Sequence, residues 1–345
     1  MGTQYVDDHR FLLCKGSTVT DITRAVSQPE ARDELDALSV ELTFTAVRNN
    51  NRDKYMHWYG IEPGDKLRVV NHGREVFSGV ILTVGLDGTV TANDMGWYLT
   101  KSEIILQLAD AAAPDAVRRM CAKAGIAAGT IDLPPTRISQ VWVGSTPEQI
   151  LEDILAICSA ETGLTYRRRV REGALQVGPL PTVPIIAYHK PAENLGAFDI
   201  TLAKGSVSGS DSMAELTNSV VLAAGGESAE TLGRAYNSAS IAKYGLLQAV
   251  ETLSGDENTA QARQRQTLLA QGDRIARERS VDEIWGADEV ESGILLQFRQ
   301  NSYGVTGVQR VTGVTHRYGH PHLMSLTVED PQSPRAAGGG DAITV

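Results

Sequence analysis

The sequence predicts an α+β protein in which two small β-barrel-like units flank a mixed α/β middle. Three observations predict it. Residues 305–329 read strand, turn, strand. Val305 to His316 is rich in Val and Thr with two-residue alternation, a Gly/Pro turn follows, and Leu323-Met324-Ser325-Leu326-Thr327-Val328-Glu329 resumes the pattern. Near the front, Asp65 to Val70, the turn Asn71-His72-Gly73-Arg74 and Glu75 to Leu82 repeat the plan. Between these ends, apolar residues recur at helical spacing, with capping signals on either side.

In chain order, Ser39 to Val47 alternates apolar and polar residues and predicts a half-buried strand. The run Asn49-Asn50-Asn51-Arg52-Asp53 predicts a polar turn, Pro63-Gly64-Asp65 another, and Asp87-Gly88 a hairpin into Thr89 to Ala92. Residues 15–95 thus hold about five strands, enough for a small barrel or curled sheet. Pro114 to Ala124 predicts a helix with Ala116, Val117, Met120, Cys121 and Ala124 on one face and Gly125 as its stop. A second helix begins at Ser145-Thr146-Pro147-Glu148, with Glu148 expected to complete a capping box. It buries Ile150, Leu151, Ile154, Leu155 and Cys158 and ends at Gly163. Leu164 to Arg168 and Ala174 to Val177 pair as a hairpin across Glu172-Gly173.

Four prolines between Pro179 and Pro191 predict a crossover, with a short strand at Ile185 to Tyr188. Leu216 to Ala223 is the next strand, turning at Gly225-Gly226, and Asn258 or Thr259 to about Arg279 reads as a long amphipathic helix. Strands resume to Glu329, and the Pro- and Gly-rich end predicts disorder. The expected division is 1–97, an N-terminal barrel-like unit; 98–180, a mixed α/β unit; 181–205, a linker; 206–330, a C-terminal barrel-like unit; and 331–345, a tail.

With 345 residues, 42% hydrophobic and 21% charged, the chain has the make-up of a globular protein of several domains. Its net charge of −10 repels phosphate backbones and argues against sequence-independent nucleic-acid binding. The sequence shows no apolar run of membrane-spanning length and no signal-peptide pattern in its polar first residues, so a secretory route is not expected. Cys14, Cys121 and Cys158 are odd in number and widely spaced, which suits a reducing, cytoplasmic folding compartment rather than a disulfide framework.

Candidate sites are few. His316, His320 and His322 have metal-ligand residue types, but Gly319 and Pro321 put them in a turn without a nearby acid or Cys, and a polar turn is the stronger reading. Arg167-Arg168-Arg169-Val170-Arg171 could grip an acidic partner, while alternation on a hairpin favours a solvated face. Glu148, Glu152, Asp153 and Glu161 would be the carboxylates of a cell-wall hydrolase, yet acids near a helix start complement its dipole without any catalysis. Cys121 and Cys158 sit in apolar patterns and Cys14 near a terminus, so no activated thiol is expected. Gly225-Gly226-Glu227 lacks phosphate-loop spacing. The expectation is no catalytic residue, no cofactor, no metal and no enzymatic activity. Hairpin tips such as Asn71-His72-Gly73 are the plausible contact surfaces.

The order of these signals resembles the XkdQ-like tail hub proteins of contractile phage tails and tailocins, relatives of the late-control D proteins and the T-even phage baseplate hub. Thr18-Val19-Thr20-Asp21-Ile22-Thr23 resembles the family's opening strand, Gly64-Asp65 through Phe77-Ser78-Gly79-Val80-Ile81 its hairpin, and Asn93-Asp94 through Leu99-Thr100-Lys101-Ser102 the segment after it. Asn218-Ser219-Val220-Val221, Ile241 to Gly245 and Val311 to His316 resemble later stretches, so the likeness spans about 15–330. It implies a homotrimeric, pseudo-sixfold ring that joins a tail tube protein to a central spike protein. It also implies contacts with other baseplate and tail proteins, LysM-containing ones among them. No membrane anchor and no specific nucleic-acid binding follow from it, and the implied location is a virion or tail-like particle assembled in the bacterial cytoplasm. The alternatives are a tail-associated cell-wall hydrolase, or a hub or spike component of a related protein-delivery system.

Overall fold

The computed structural model describes residues 5–47, 59–202, 205–224, 230–252, 266, 272–302 and 305–331. Among the described residues the regular elements of the N-terminal part are strands, apart from one short 3-10 turn: β1 (His9–Lys15), β2 (Thr18–Asp21), β3 (Val26–Glu34), β4 (Glu41–Ala46), β5 (Lys66–Asn71), β6 (Arg74–Val84) and β7 (Thr89–Asp94). Alternation decides which face is buried. Leu42, Phe44 and Ala46 of β4 and Val90 and Ala92 of β7 turn inward, while the threonines between them face outward. The β5–β6 hairpin turns on His72 (φ 49°) and Gly73 (φ 82°), a backbone that suits Gly and tolerates His only at some cost.

The middle runs α1 (Gly96–Lys101), β8 (Ile104–Ala112), α2 (Ala113–Ala124), β9 (Ala127–Ile131), β10 (Arg137–Ser145), α3 (Pro147–Thr162), β11 (Tyr166–Arg171) and β12 (Ala174–Pro179). Both main helices form where expected. Gly125 and Gly163 end them in the left-handed conformation that L side chains avoid. The capping box of α3 differs from expectation in its partner. Thr146 is the N-cap, and Gln149, not Glu148, returns the second hydrogen bond, because the third helical position is the one whose side chain reaches the cap N–H. Met120, Ile150, Leu151, Ile154 and Cys158 pack with Leu106, Ile138 and Trp142 into one core. Each large side chain so buried contributes about 1.5–3 kcal/mol.

The C-terminal part comprises β13 (Pro184–Ile185), β14 (Tyr188–His189), β15 (Phe198–Asp199), β16 (Ser206–Ser212), β17 (Ser219–Ala223), β18 (Thr231–Tyr236), α4 (Ser238–Tyr244), β19 (Gln248–Thr252), β20 (Ala276–Trp285), β21 (Leu295–Ser302), β22 (Val305–Arg317) and β23 (Leu323–Glu329). The strand expected at Ile185 to Tyr188 is split in two, with Ala187 buried between the halves. The end expected for the long helix, Ala276 to Arg279, is instead the start of β20, which pairs with β16 on one side and β23 on the other. Of the rest of that predicted helix, Gln266 is helical, residues 272–275 form a turn and bend rather than helix, and the other positions lie outside the described residues, as do Asn49 to Asp53, Gly225-Gly226-Glu227 and the tail beyond Pro331.

The chain is predominantly β, and among the described residues neither terminal unit closes into a barrel. A single 13-stranded sheet runs β16-β20-β23-β22-β3-β4-β7-β6-β5-β1-β2, with β21 and β13 branching from β22. β3, the strand at one end of the N-terminal run in sheet order, does not close onto β2 at the other end. It pairs with β22 in the register Gly313↔Glu34 to Arg317↔Glu30, so the two ends of the chain share one sheet. The length of β22 makes this possible: its first half pairs with β21, its second half with β3 along the same edge, and β23 covers the opposite edge. A second core lies under the N-terminal strands and takes in Tyr318 from the far end of the chain, and a third lies under β20 to β23.

Candidate functional site

The segment 286–294, between β20 and β21, is where these parts are fastened together. The Asp288 carboxylate lies 2.9 Å from His9 Nε2 on β1 and accepts from Asn71 Nδ2 on β5 at 2.6 Å. The Val290 carbonyl lies 2.8 Å from His316 Nε2 on β22. Ser292 donates from its N–H (2.9 Å) and its hydroxyl (2.8 Å) to Asp33 on β3. The Gly293 carbonyl accepts from Arg310 at 2.7 Å. Glu291 faces the middle unit and accepts from Arg167 at 3.2 Å and from Arg169 and Arg171 at closer range.

Strand periodicity explains the last contact. Arg167, Arg169 and Arg171 alternate along β11 and share a face, and that face meets Glu291. Arg168, on the other face, donates to Glu152 at 2.7 Å and to the Asp36 carbonyl at 2.9 Å. The solvated face read from the arginine run is therefore corrected: the acidic partner exists, and it belongs to the same chain. Burial acts to raise the Glu291 carboxyl, but the charges of Arg171, Arg167 and Arg169 outweigh it and hold the group down at about 2. Beside this cluster a cleft of 290 Å³ is lined by Asp33, Arg74, Asp94, Arg169 and Arg171 among others. Asp94 accepts from the Gly96 N–H at 2.9 Å, and burial pushes its carboxyl up to about 7.

The second cluster is deeper. Asn71 donates to Asp7 at 2.8 Å as well as to Asp288, so one amide bridges two carboxylates. His322 Nδ1 lies 2.9 Å from Asp7, and His322 Nε2 lies 3.1 Å from His316 Nδ1. His189 Nδ1 is 2.9 Å from the Gly286 carbonyl, and its ring stacks on Trp285 at 4.8 Å. Burial and the neighbouring His322 push His316 down to about 4. For Asp7 and Asp288, burial acts to raise the carboxyl, but hydrogen bonds from His322 and His9 respectively, with their charges and Asn71, hold both below the usual carboxylate range.

The remaining predicted residues are scattered. His316 and His322 are buried and His320 alone is exposed, so the three do not form a solvent turn. Asn71 is buried, not a contact tip, while the His72 ring caps the Val6 carbonyl at 2.7 Å. Asp153 accepts from the Trp142 indole at 2.7 Å, Glu152 holds Arg168, Glu148 sits in the first turn of α3 and Glu161 in its last, exposed. Burial pushes the Cys121 thiol up to about 11 and raises Cys158 too, opposite to what a nucleophile needs. Sequence reasoning missed Asp7, His9, Asp288 and Glu291. The available signal was a Gly-bounded acidic run, Asp288-Glu289-Val290-Glu291, between the Val281 to Trp285 end of one strand and the Leu295-Leu296 start of the next.

Fold and site together define a braced structural β-scaffold whose polar chemistry is turned inward, onto its own seams. The chain belongs to the YQBQ-like family, whose model matches residues 32–329. It is 23% identical over 278 residues to the phage-like element PBSX protein XkdQ of Bacillus subtilis, covering 79% of this chain and 83% of that one, in keeping with the resemblance drawn from the hairpin motifs. Its fold is shared with a tail protein from Neisseria meningitidis (TM-score 0.65, 14% identity, 94% and 97% of the two chains). It is shared also with the 43 kDa tail protein of prophage MuSo2 from Shewanella oneidensis (TM-score 0.64, 14% identity, 94% and 98%).

Proposed function

We propose that this chain is the non-catalytic hub of a phage tail or phage-tail-like particle, three copies of which form a ring joining the sixfold tail tube to the threefold spike. The observation that carries the reading is the 13-stranded sheet fastened by segment 286–294 to β1, β3, β5, β11 and β22, on a fold shared with prophage tail proteins. A joint between tube and spike passes force from one to the other, and it serves only if its parts do not slide. The charged side chains that an enzyme would turn toward a substrate are here spent on holding β1, β3, β11 and β22 together.

Among the described residues the main path of the sheet ends in two strands without an outer partner, β2 and β16, both largely exposed. Open strand edges are templates for pairing with another chain, and a closed ring supplies such partners without leaving a free edge. Three hydrophobic clusters, drawn mainly from residues 11–92, 99–177 and 187–328, support a division into three units, with Leu38 and Tyr318 crossing over and the stretch 181–205 packing with the last unit.

Cryo-electron microscopy of intact particles that contain this chain tests the proposal. The expected map places three copies at the junction of tube and spike. Density for the chain in the tube wall, in a fibre or at a cell-wall-degrading tip would overturn it.

A further inference from the structure

We propose that Asp7, His9, Asp288 and His322 form a binding site for one divalent transition-metal ion of the zinc class. Donor atoms of Asp7, His9 and His322 lie within 4.8 Å of one another. Around the cluster, His322 Nδ1 is 2.9 Å from Asp7 Oδ2 and 3.9 Å from Asp288 Oδ1, which is itself 2.9 Å from His9 Nε2. Ligands about 2.1 Å from a tetrahedral ion stand roughly 3.4 Å apart, between those shorter and longer spacings. The side chains are 1% exposed for His9, 0% for His322, 7% for Asp7 and 8% for Asp288, so a captured ion would be shut off from water.

The hydrogen bonds around the cluster are arranged as outer partners of metal ligands are. Asn71 donates to Asp7 Oδ1 and Asp288 Oδ2, which orients both carboxylates and leaves Asp7 Oδ2 and Asp288 Oδ1 turned toward the imidazoles. The chain of contacts from Asp7 through His322 and His316 to the Val290 carbonyl has three links, at 2.9, 3.1 and 2.8 Å. Three links need three hydrogens, and two neutral imidazoles carry one each. The third is either a proton, which would make His322 an imidazolium paired with Asp7, or a metal cation on His322 Nδ1 in that proton's place. His322 then donates from Nε2 to His316 Nδ1, and His316 donates from Nε2 to Val290.

His9 offers Nε2, the nitrogen that faces Asp288, to the ion, while its buried Nδ1 has no hydrogen-bond partner among the described residues. Two carboxylates sunk in a core also require compensation, and a doubly charged ion supplies it. Mixed imidazole and carboxylate donors suit zinc and its first-row neighbours rather than calcium or magnesium, which take oxygen ligands. The ion would tie β1 to segment 286–294 and to the approach of β23, the seam between the two halves of the sheet.

Full-length protein purified without a metal-affinity tag, stripped with a chelator and titrated with Zn2+ tests the site. The expected result is one ion per chain, a higher melting temperature with zinc than with chelator, and the intense visible bands of tetrahedral Co2+ when cobalt replaces it. Asp288→Asn should weaken zinc binding by more than about 100-fold, beyond the loss of an outer partner, while His320→Ala, at the exposed histidine nearby, leaves it unchanged. Sub-stoichiometric zinc with a melting temperature indifferent to zinc and chelator would overturn the proposal, whether or not the variant folds. Zinc that binds Asp288→Asn as tightly as the parent, or is lost in His320→Ala, would overturn it too.

Discussion

Glu291 places one carboxylate against three guanidinium groups, and the balance at that point depends on its charge. Replacing it by Gln leaves Arg167, Arg169 and Arg171 facing one another across a neutral amide. We expect Glu291→Gln to destabilise the fold by about 2 kcal/mol, below the penalty for breaking a dry pair. The reduction arises because Arg169 and Arg171 keep 35% and 34% of their side chains in water. Urea denaturation of parent and variant measures the difference. The same carboxyl gives the acid response. Its ordinary value is 4.5 and its folded value about 2, so the unfolded chain binds the proton first as pH falls. Its contribution is whole above about 4.5 and lost as pH drops toward 2. The gap in stability between parent and Glu291→Gln should therefore shrink as pH falls from about 4.5 toward about 2.

Residues of this kind were half legible. The arginine run on β11 stands out in an acidic chain, but its partner lies over a hundred residues away on an unremarkable loop. His322 was misplaced for the same reason. Its neighbours Gly319 and Pro321 describe the local turn correctly, whereas its burial is decided by Asp7 at the other end of the chain.

At the level of elements, helices α2 and α3 were readable because their caps and apolar faces are written within a few residues. Thr146→Ala should cost about 1 kcal/mol, since it removes the side chain that accepts from the Gln149 N–H. Thermal melting of the variant checks this. Strand β20 was misread at its start because Ala276-Arg277-Glu278-Arg279 is made of good helix formers. Pairing with β16 and β23 overrides that local preference, and no window along the sequence reports a pairing of such separation. The same limit hid the β3–β22 ladder. Thr315 sits where β22 is paired on both edges, with Arg32 and with Ser325. Thr315→Pro removes a ladder donor and cannot be accommodated in a central strand. We expect that variant to be insoluble or unfolded by circular dichroism, and native-like spectra would contradict the role given to β22.

At the scale of the whole molecule, the class and the family resemblance were legible while the architecture was not. Alternating hairpins at both ends and a capped α/β middle are features of local sequence, and their order sufficed to point to tail proteins. Closure of each end into its own barrel was an extrapolation from strand number. In the molecule, β3 passes its free edge to β22, and one sheet replaces two closed units. That arrangement leaves two exposed terminal strands, β2 and β16, at its far ends, and the ring reading uses them.

The most direct test of that reading is the solution mass of the purified chain by light scattering across a range of concentrations. The account predicts a species at three times the 37.1 kDa chain mass that persists on dilution. A monomer at every concentration would contradict a ring built by this chain.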